Sequence, residues 1–188
     1  MRFLLTTVLA SSAVLPCVAG PIDFTPISGQ RVLENITFPQ LVFHQDGNAI
    51  TYEQPRNWTF TGGAAQLKLT PPDLSQAQAT LEQVALATPQ TFDETTTAAL
   101  EKAVLALIPG DAQNARIIAV EQNPVPIKQQ PSLAITASYS YFGQDYAVSM
   151  LFANLGDTQL RARLTSRKTD FEALKRAFHA SLFSLHWE

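Results

Sequence analysis

Three arginines, Arg161, Arg163 and Arg167, stand in the stretch Gln159–Arg167, where they share alternate positions with Thr165 between Leu160, Ala162 and Leu164. On an extended strand, alternate residues point to one face about 6–7 Å apart. Guanidinium groups in such a row can take carboxylate or phosphate groups in bidentate fashion. The commoner meaning of the same pattern is a solvated strand face, or arginine stems laid over a covering helix. Tyr139 and Tyr141 alternate in the same way with Ser138 and Ser140. A tyrosine pair on one face can line a ligand groove; more often it is a packing ladder with its phenols in water.

Other chemistry has little to draw on. Nucleophilic hydrolysis calls for a serine, a histidine and a carboxylate, or a G-x-S-x-G turn, and that turn is absent from the sequence. The chain has only three histidines. His44 precedes the Asp46-Gly47 turn and reads as a surface residue, because a His–Asp neighbourhood needs a third group to act. His179 and His186 are seven residues apart, and two helical turns separate a pair too far to chelate a metal. Asp93 and Glu94 read as acids in the first turn of a helix, where the dipole favours them. Gly62-Gly63 reads as a turn or bulge, since no G-x-x-x-x-G-K follows. No catalytic residue, metal ligand or cofactor is expected.

The first residues have the form of a secretory leader: Arg2, an apolar run from Phe3 to Leu15, Pro16, then small residues with cleavage expected after Ala19. The run is shorter than the ~20 residues a spanning helix needs. A rival processing would acylate Cys17 and tether the protein to a membrane. Cleavage after Ala19 leaves no cysteine, and loss of Arg2 leaves 12 cations against 16 acids, a net charge of −4. An acidic chain is a poor candidate for nucleic-acid binding. The sequons at Asn35 and Asn57 matter only in a eukaryotic secretory route.

The remainder, with 46% apolar and 15% charged residues over the 188-residue chain, is rich enough in apolar side chains for one globular domain. We divide it as a leader at 1–19, an N-terminal arm and first strand at 20–46, and a domain at 47–188. Pro21–Gly29 reads as an irregular arm. Asp46-Gly47 between apolar runs predicts a hairpin. A strand at Ile50–Glu53, Trp58, Gly62-Gly63 and a strand at Gln66–Thr70 follow. Gln78–Ala87 is ambiguous and leans to a strand. Thr91–Ile108 predicts a helix opened by a Thr91/Glu94 capping box. Strands follow at Ala115–Glu121, Ser132–Phe142, Asp145–Asn154 and Gln159–Arg167. Asp145–Asn154 is apolar on both faces, as a central strand covered on both sides would be. A last helix from Thr169 repeats the T-x-x-E box with Glu172 and carries Phe171, Leu174, Phe178, Leu182 and Leu185 on one face. The expected fold class is α+β, with a central, largely antiparallel sheet covered by helices.

The strand-turn-Trp element (Ile50–Glu53, then Trp58), followed by Leu67-Lys68-Leu69-Thr70, then strands and a closing helix with Phe178, Ser181, Leu182 and Ser184, resembles the PsbP-like fold group. That group includes an extrinsic photosystem II subunit, a Ran-binding nuclear import factor and exported DcrB-type bacterial proteins. The resemblance covers roughly Gly47 to Trp187. It implies an α/β/α sandwich and an accessory or adaptor role, and it carries over no catalytic residue. The expectation is an exported, non-enzymatic binding protein, periplasmic or extracellular, for a protein or small-molecule partner. The alternatives are a small secreted hydrolase or ligand-modifying enzyme, using a cleft with His44, Tyr139 or the arginines, and a lipoprotein acylated at Cys17.

Overall fold

The computed structural model describes residues 20–188. The leader and Cys17 lie outside the described residues. The larger of two sheets has seven strands: β4 (Thr59–Gly63), β5 (Gln66–Thr70), β6 (Gln78–Ala85), β7 (Gln113–Gln122), β8 (Ser132–Tyr141), β9 (Gln144–Asn154) and β10 (Thr158–Arg167). Their spatial order is β4-β5-β6-β10-β9-β8-β7, with every pairing antiparallel. The smaller sheet is β1 (Asp23–Leu33), β2 (Ile36–Gln45), β3 (Asn48–Tyr52) and the two-residue β11 (His186–Trp187), in the order β1-β2-β3-β11. The helices are α1 (Glu94–Leu105) and α2 (Lys168–Leu182).

Turn chemistry sets much of this order. Asp46 (φ 52°) and Gly47 (φ 82°) join β2 to β3, and Phe142 (φ 46°) and Gly143 (φ 70°) join β8 to β9. Two successive positive φ values match the twist of the flanking strands, which is why Asp-Gly reads so clearly. Phe142 takes that conformation without such a signal.

The larger sheet is apolar on both faces at β8 and β9. One face carries Leu133, Ile135, Val148, Met150 and Phe152, packed with Leu100 and Val104 of α1. The other carries Leu151, Ala153, Leu160 and Leu164, packed with Phe171, Leu174, Phe178 and Leu182 of α2 and with Phe24, Phe43, Ile50 and Tyr52 of the smaller sheet. Trp58 stacks on Phe178 at 6.3 Å and 13°, and burial of each such ring contributes about 1.5–3 kcal/mol.

The expected α/β/α sandwich, with a central sheet covered by helices, is therefore incorrect. Strand is the dominant element, and a second sheet takes much of the layer that a helix was expected to fill. The cause lies in the first thirty residues after the leader. Pro21 and Pro26 suggested an irregular arm, yet Asp23–Leu33 is a strand. Pro26 sits where the β1–β2 register shifts, between Asp23 and Ile27, and an edge bulge tolerates the missing donor. Gly62 and Gly63 lie within β4 rather than in a turn. A Cβ on Gly62 would come within 2.6 Å of the Phe24 carbonyl oxygen, so the glycine permits β1 to close against β4 and join the two sheets.

Both expected capping boxes are absent. Asp93 caps α1, its Oδ1 accepting from the Thr96 amide at 2.7 Å, while Thr91 only donates to Asp93. The cap residue of α2 is Arg167, with no side-chain cap bond. The last helix ends at Leu182, short of the Leu185 expected on its apolar face, and His186–Trp187 form the short strand β11, with Trp187 paired to Ile50. The leaning of Gln78–Ala87 to a strand is met by β6.

Candidate anion-binding face

Register gathers the arginines. β10 lies between β6 and β9, placing Arg161 opposite Glu82 and Phe152, Arg163 opposite Thr80 and Met150, and Arg167 opposite Tyr146. Lys68 on β5 faces Thr80 one strand further out. Residues opposite one another share a face, so Arg161, Arg163, Arg167 and Lys68 form one cationic row with the Glu82 carboxylate among them. This is the face that α1 covers over β7, β8 and β9. Among the described residues, no helix packs on it over β10, β6, β5 and β4.

The arginines are held, and what holds them is neutral. Among the described residues the ion pairs are Arg31–Glu53 and Lys175–Glu121, so none of the three arginines is in direct contact with a carboxylate, although Glu82 lies across from Arg161 and Asp73 and Asp170 line the cavity beside Arg167. Arg161 Nε donates to Gln159 Oε1 at 2.9 Å, and its guanidinium carbon lies 5.9 Å from the Phe152 ring centroid. Gln159 is 0% exposed and donates in turn to Asn154 Oδ1 at 2.8 Å. Arg167 Nε donates to Gln76 Oε1 at 2.8 Å, and Tyr146 Oη donates to the same oxygen at 3.1 Å. A cavity of about 200 Å³ opens beside Arg167, lined also by Asp73, Ser75, Gln76 and Asp170. Guanidinium groups oriented by amides keep their full charge for an incoming anion.

Tyr139 joins this face through β9. It is the register partner of Tyr146 and stacks on it at 5.6 Å and 15°. Burial pushes the Tyr139 phenol pKa up, with the Tyr146 and Tyr141 phenols adding to the effect. Tyr141 shares the face but sits at the end of its hairpin, with its ring 4.4 Å from that of Phe142 and a cavity of about 300 Å³ alongside.

Gln76, Gln159 and Tyr146 were not among the expected site residues. Gln159 was within reach of strand alternation, two residues before Arg161. Gln76 was not, being 91 residues from Arg167.

The histidines stay apart. His44 is exposed on β2, opposite Asp23. His179 lies on α2, where burial pulls its imidazole pKa down, Lys175 adds to the effect and Glu121 opposes it. His186 lies on β11, so the two do not share a helix. Among the described residues, no group of three His, Cys, Asp or Glu side chains is placed to hold a metal ion. Both sequon asparagines occupy exposed turns, Asn35 at φ 65° and Asn57 at φ 64°.

The chain aligns with the solution structure of PsbP from the cyanobacterium Synechocystis sp. PCC 6803 over 96% of its own length and 99% of that chain, with a TM-score of 0.51 and 12% identity. The fold is PsbP-like. A Pseudomonas aeruginosa protein of unknown function aligns over 85% of this chain and 96% of its own at TM-score 0.47 and 12% identity. A Bacteroides thetaiotaomicron protein aligns over 74% of this chain and 45% of its own at TM-score 0.46 and 12% identity, so the present chain spans less than half of it. No family model and no curated protein sequence matches. At this identity the likeness to PsbP extends to the fold alone. None of the described helices is long and apolar enough to cross a membrane.

Proposed function

We propose that this PsbP-like chain is an exported, non-enzymatic accessory protein that holds an acidic partner surface against the open half of its larger sheet. One observation carries the reading: Arg161 and Arg167 are fixed by glutamine oxygens, not carboxylates, with Arg163 between them on the strand. Paired carboxylates would have marked the row as internal structure. Amide anchors restrict the guanidinium groups without cancelling their charge, which lowers the ordering cost of binding. Export rests on the leader-like first residues. The Cys17-acylated form is distinguished by the mass of the mature N-terminus.

The test is an NMR titration of the mature protein with poly-glutamate, with poly-lysine as the control. Shifts concentrated on β10, β6 and β5, produced only by the polyanion, are expected. Shifts scattered over the surface, or equal shifts with poly-lysine, would refute the reading.

A further inference from the structure

The β1–β2 hairpin runs on past the rest of the smaller sheet, apart from the arginine row. β3 pairs with β2 only from Leu41 to Gln45, and β1 is the last strand of its sheet. On this ribbon Ile27, Val32, Leu33 and Ile36 are between 52% and 65% exposed. The turn fixes where its backbone points. Glu34 (φ 50°) and Asn35 (φ 65°) form a two-residue turn between Leu33 and Ile36, which makes those two a hydrogen-bonded pair. Counting back in twos, Arg31 and Gly29 bond to β2. Ser28, Gln30 and Val32 therefore turn their N–H and C=O groups outward.

The other sheet edges are protected. On the free tip of β2, Pro39 is the partner of Gln30, so it takes an outward position and brings no donor to it. β7 shifts register twice, between Gln113 and Arg116 and between Ile117 and Ala119, and such bulges spoil an edge for pairing. β4 is covered by β1, the Phe24 amide donating to the Ala64 carbonyl at 3.3 Å. β11 is only two residues long. Over residues 28–32, β1 has none of these devices, and among the described residues no strand pairs with its outward side.

We infer that this edge pairs with a second copy of the chain. β1 meets β1 antiparallel about a two-fold axis at Gln30, joining two four-stranded sheets into one. The residues select that register. Ser28 then faces the partner's Val32 and Gln30 faces the partner's Gln30, so every outward N–H meets a carbonyl. Ile27 meets the partner's Leu33, with the partner's Ile36 beyond it, which gives an aliphatic row at each end of the pairing. Arg31 meets the partner's Gly29. An axis at Arg31 would set two guanidinium groups opposite each other, and an axis at Gly29 would set Ile27 against the partner's Arg31. The ribbon carries one cation, Arg31, and one anion, Glu34, so no net charge opposes the contact.

Pairing over residues 27–33 is smaller than the ~800 Å² per partner of a standard interface, so the dimer is a weak one. Sedimentation equilibrium of the mature protein from about 10 µM to about 1 mM covers the range such a contact reaches. A reversible monomer–dimer equilibrium is expected there. Gln30→Pro removes the central outward donor without touching a β1–β2 bond. It should raise the dimer dissociation constant about tenfold or more, with the amide spectrum of the core unchanged. Ile27→Lys and Leu33→Glu should each weaken the dimer alone and restore it together, because the two positions then face each other with opposite charge. Arg163→Gln should leave it intact. A protein monomeric throughout, a dimer insensitive to Gln30→Pro, or a double variant no tighter than either single one would overturn the proposal.

Discussion

Tyr146 and Arg167, opposite one another on β9 and β10, donate to one oxygen, Oε1 of Gln76, at 3.1 and 2.8 Å. This shared acceptor ties the tyrosine stack to the arginine row. It also makes the charge state of residue 76 decisive. Gln76→Glu would place a carboxylate on Arg167 and neutralise that end of the field. We expect it to weaken polyanion binding by about tenfold, on the scale of one charge-assisted contact, with no loss of fold. Fluorescence anisotropy with labelled poly-glutamate measures this.

Gly62 separates packing from turn chemistry. Its Cβ would meet the Phe24 carbonyl oxygen at 2.6 Å and Pro26 Cδ at 2.7 Å, whereas one on Gly63 would meet nothing within 4 Å. A backbone atom cannot swing aside, so Gly62→Ala should cost about 1–3 kcal/mol, and Gly63→Ala should be near neutral. Denaturant unfolding of the two variants reads the difference.

The helix starts show where sequence reasoning reached and where it stopped. The positions of both helices were legible from the spacing of Leu100 and Val104, and of Phe171, Leu174, Phe178 and Leu182, because an amphipathic stripe is a local signal. Their caps were not. Thr91 and Asp93 are both good cap residues, and only the backbone path decides which meets an amide. The second sheet was hidden for a related reason: the proline at a bulge in β1 looks like a proline in a loop. The arginines were visible as a row, but the amide that anchors Arg167, that of Gln76, is brought to it only by the tertiary fold.

The α1 cap provides a pH test. The Thr96 amide, then its side chain, lowers the Asp93 pKa. A carboxylate with a depressed folded pKa adds stability above its unfolded value and loses it as pH falls through the folded one. Asp93→Ala should therefore lower the unfolding midpoint at neutral pH, with the difference from the parent shrinking in acid. Thr91→Ala should change little at any pH.

His179 gives a second pH dependence, in a higher window. Burial lowers its pKa below the ordinary 6.5, with Lys175 reinforcing the shift. The unfolded chain then binds the proton more readily, so stability is full above pH 6.5 and falls as pH drops below it toward the folded pKa. His179→Gln should flatten the stability curve over that window, as followed by thermal unfolding.

Tyr52 and Ser181 test the core. The fully buried Tyr52 shares a 2.7 Å bond with Ser181 Oγ, and burial drives its phenol pKa far up. Ser181 also donates to the Phe178 carbonyl. Tyr52→Phe leaves Ser181 satisfied and should cost about 1 kcal/mol, while Ser181→Ala strands a buried hydroxyl and should cost about 1–3 kcal/mol. Urea unfolding midpoints rank the two.

The proposed role rests on the open arginine face, and its affinity for a polyanion tests that most directly. Binding of poly-glutamate by the mature protein should weaken steeply with added salt, and replacing Arg161, Arg163 and Arg167 together by glutamine should abolish it without changing the fold. Equal affinity in the parent and the triple variant would contradict the account.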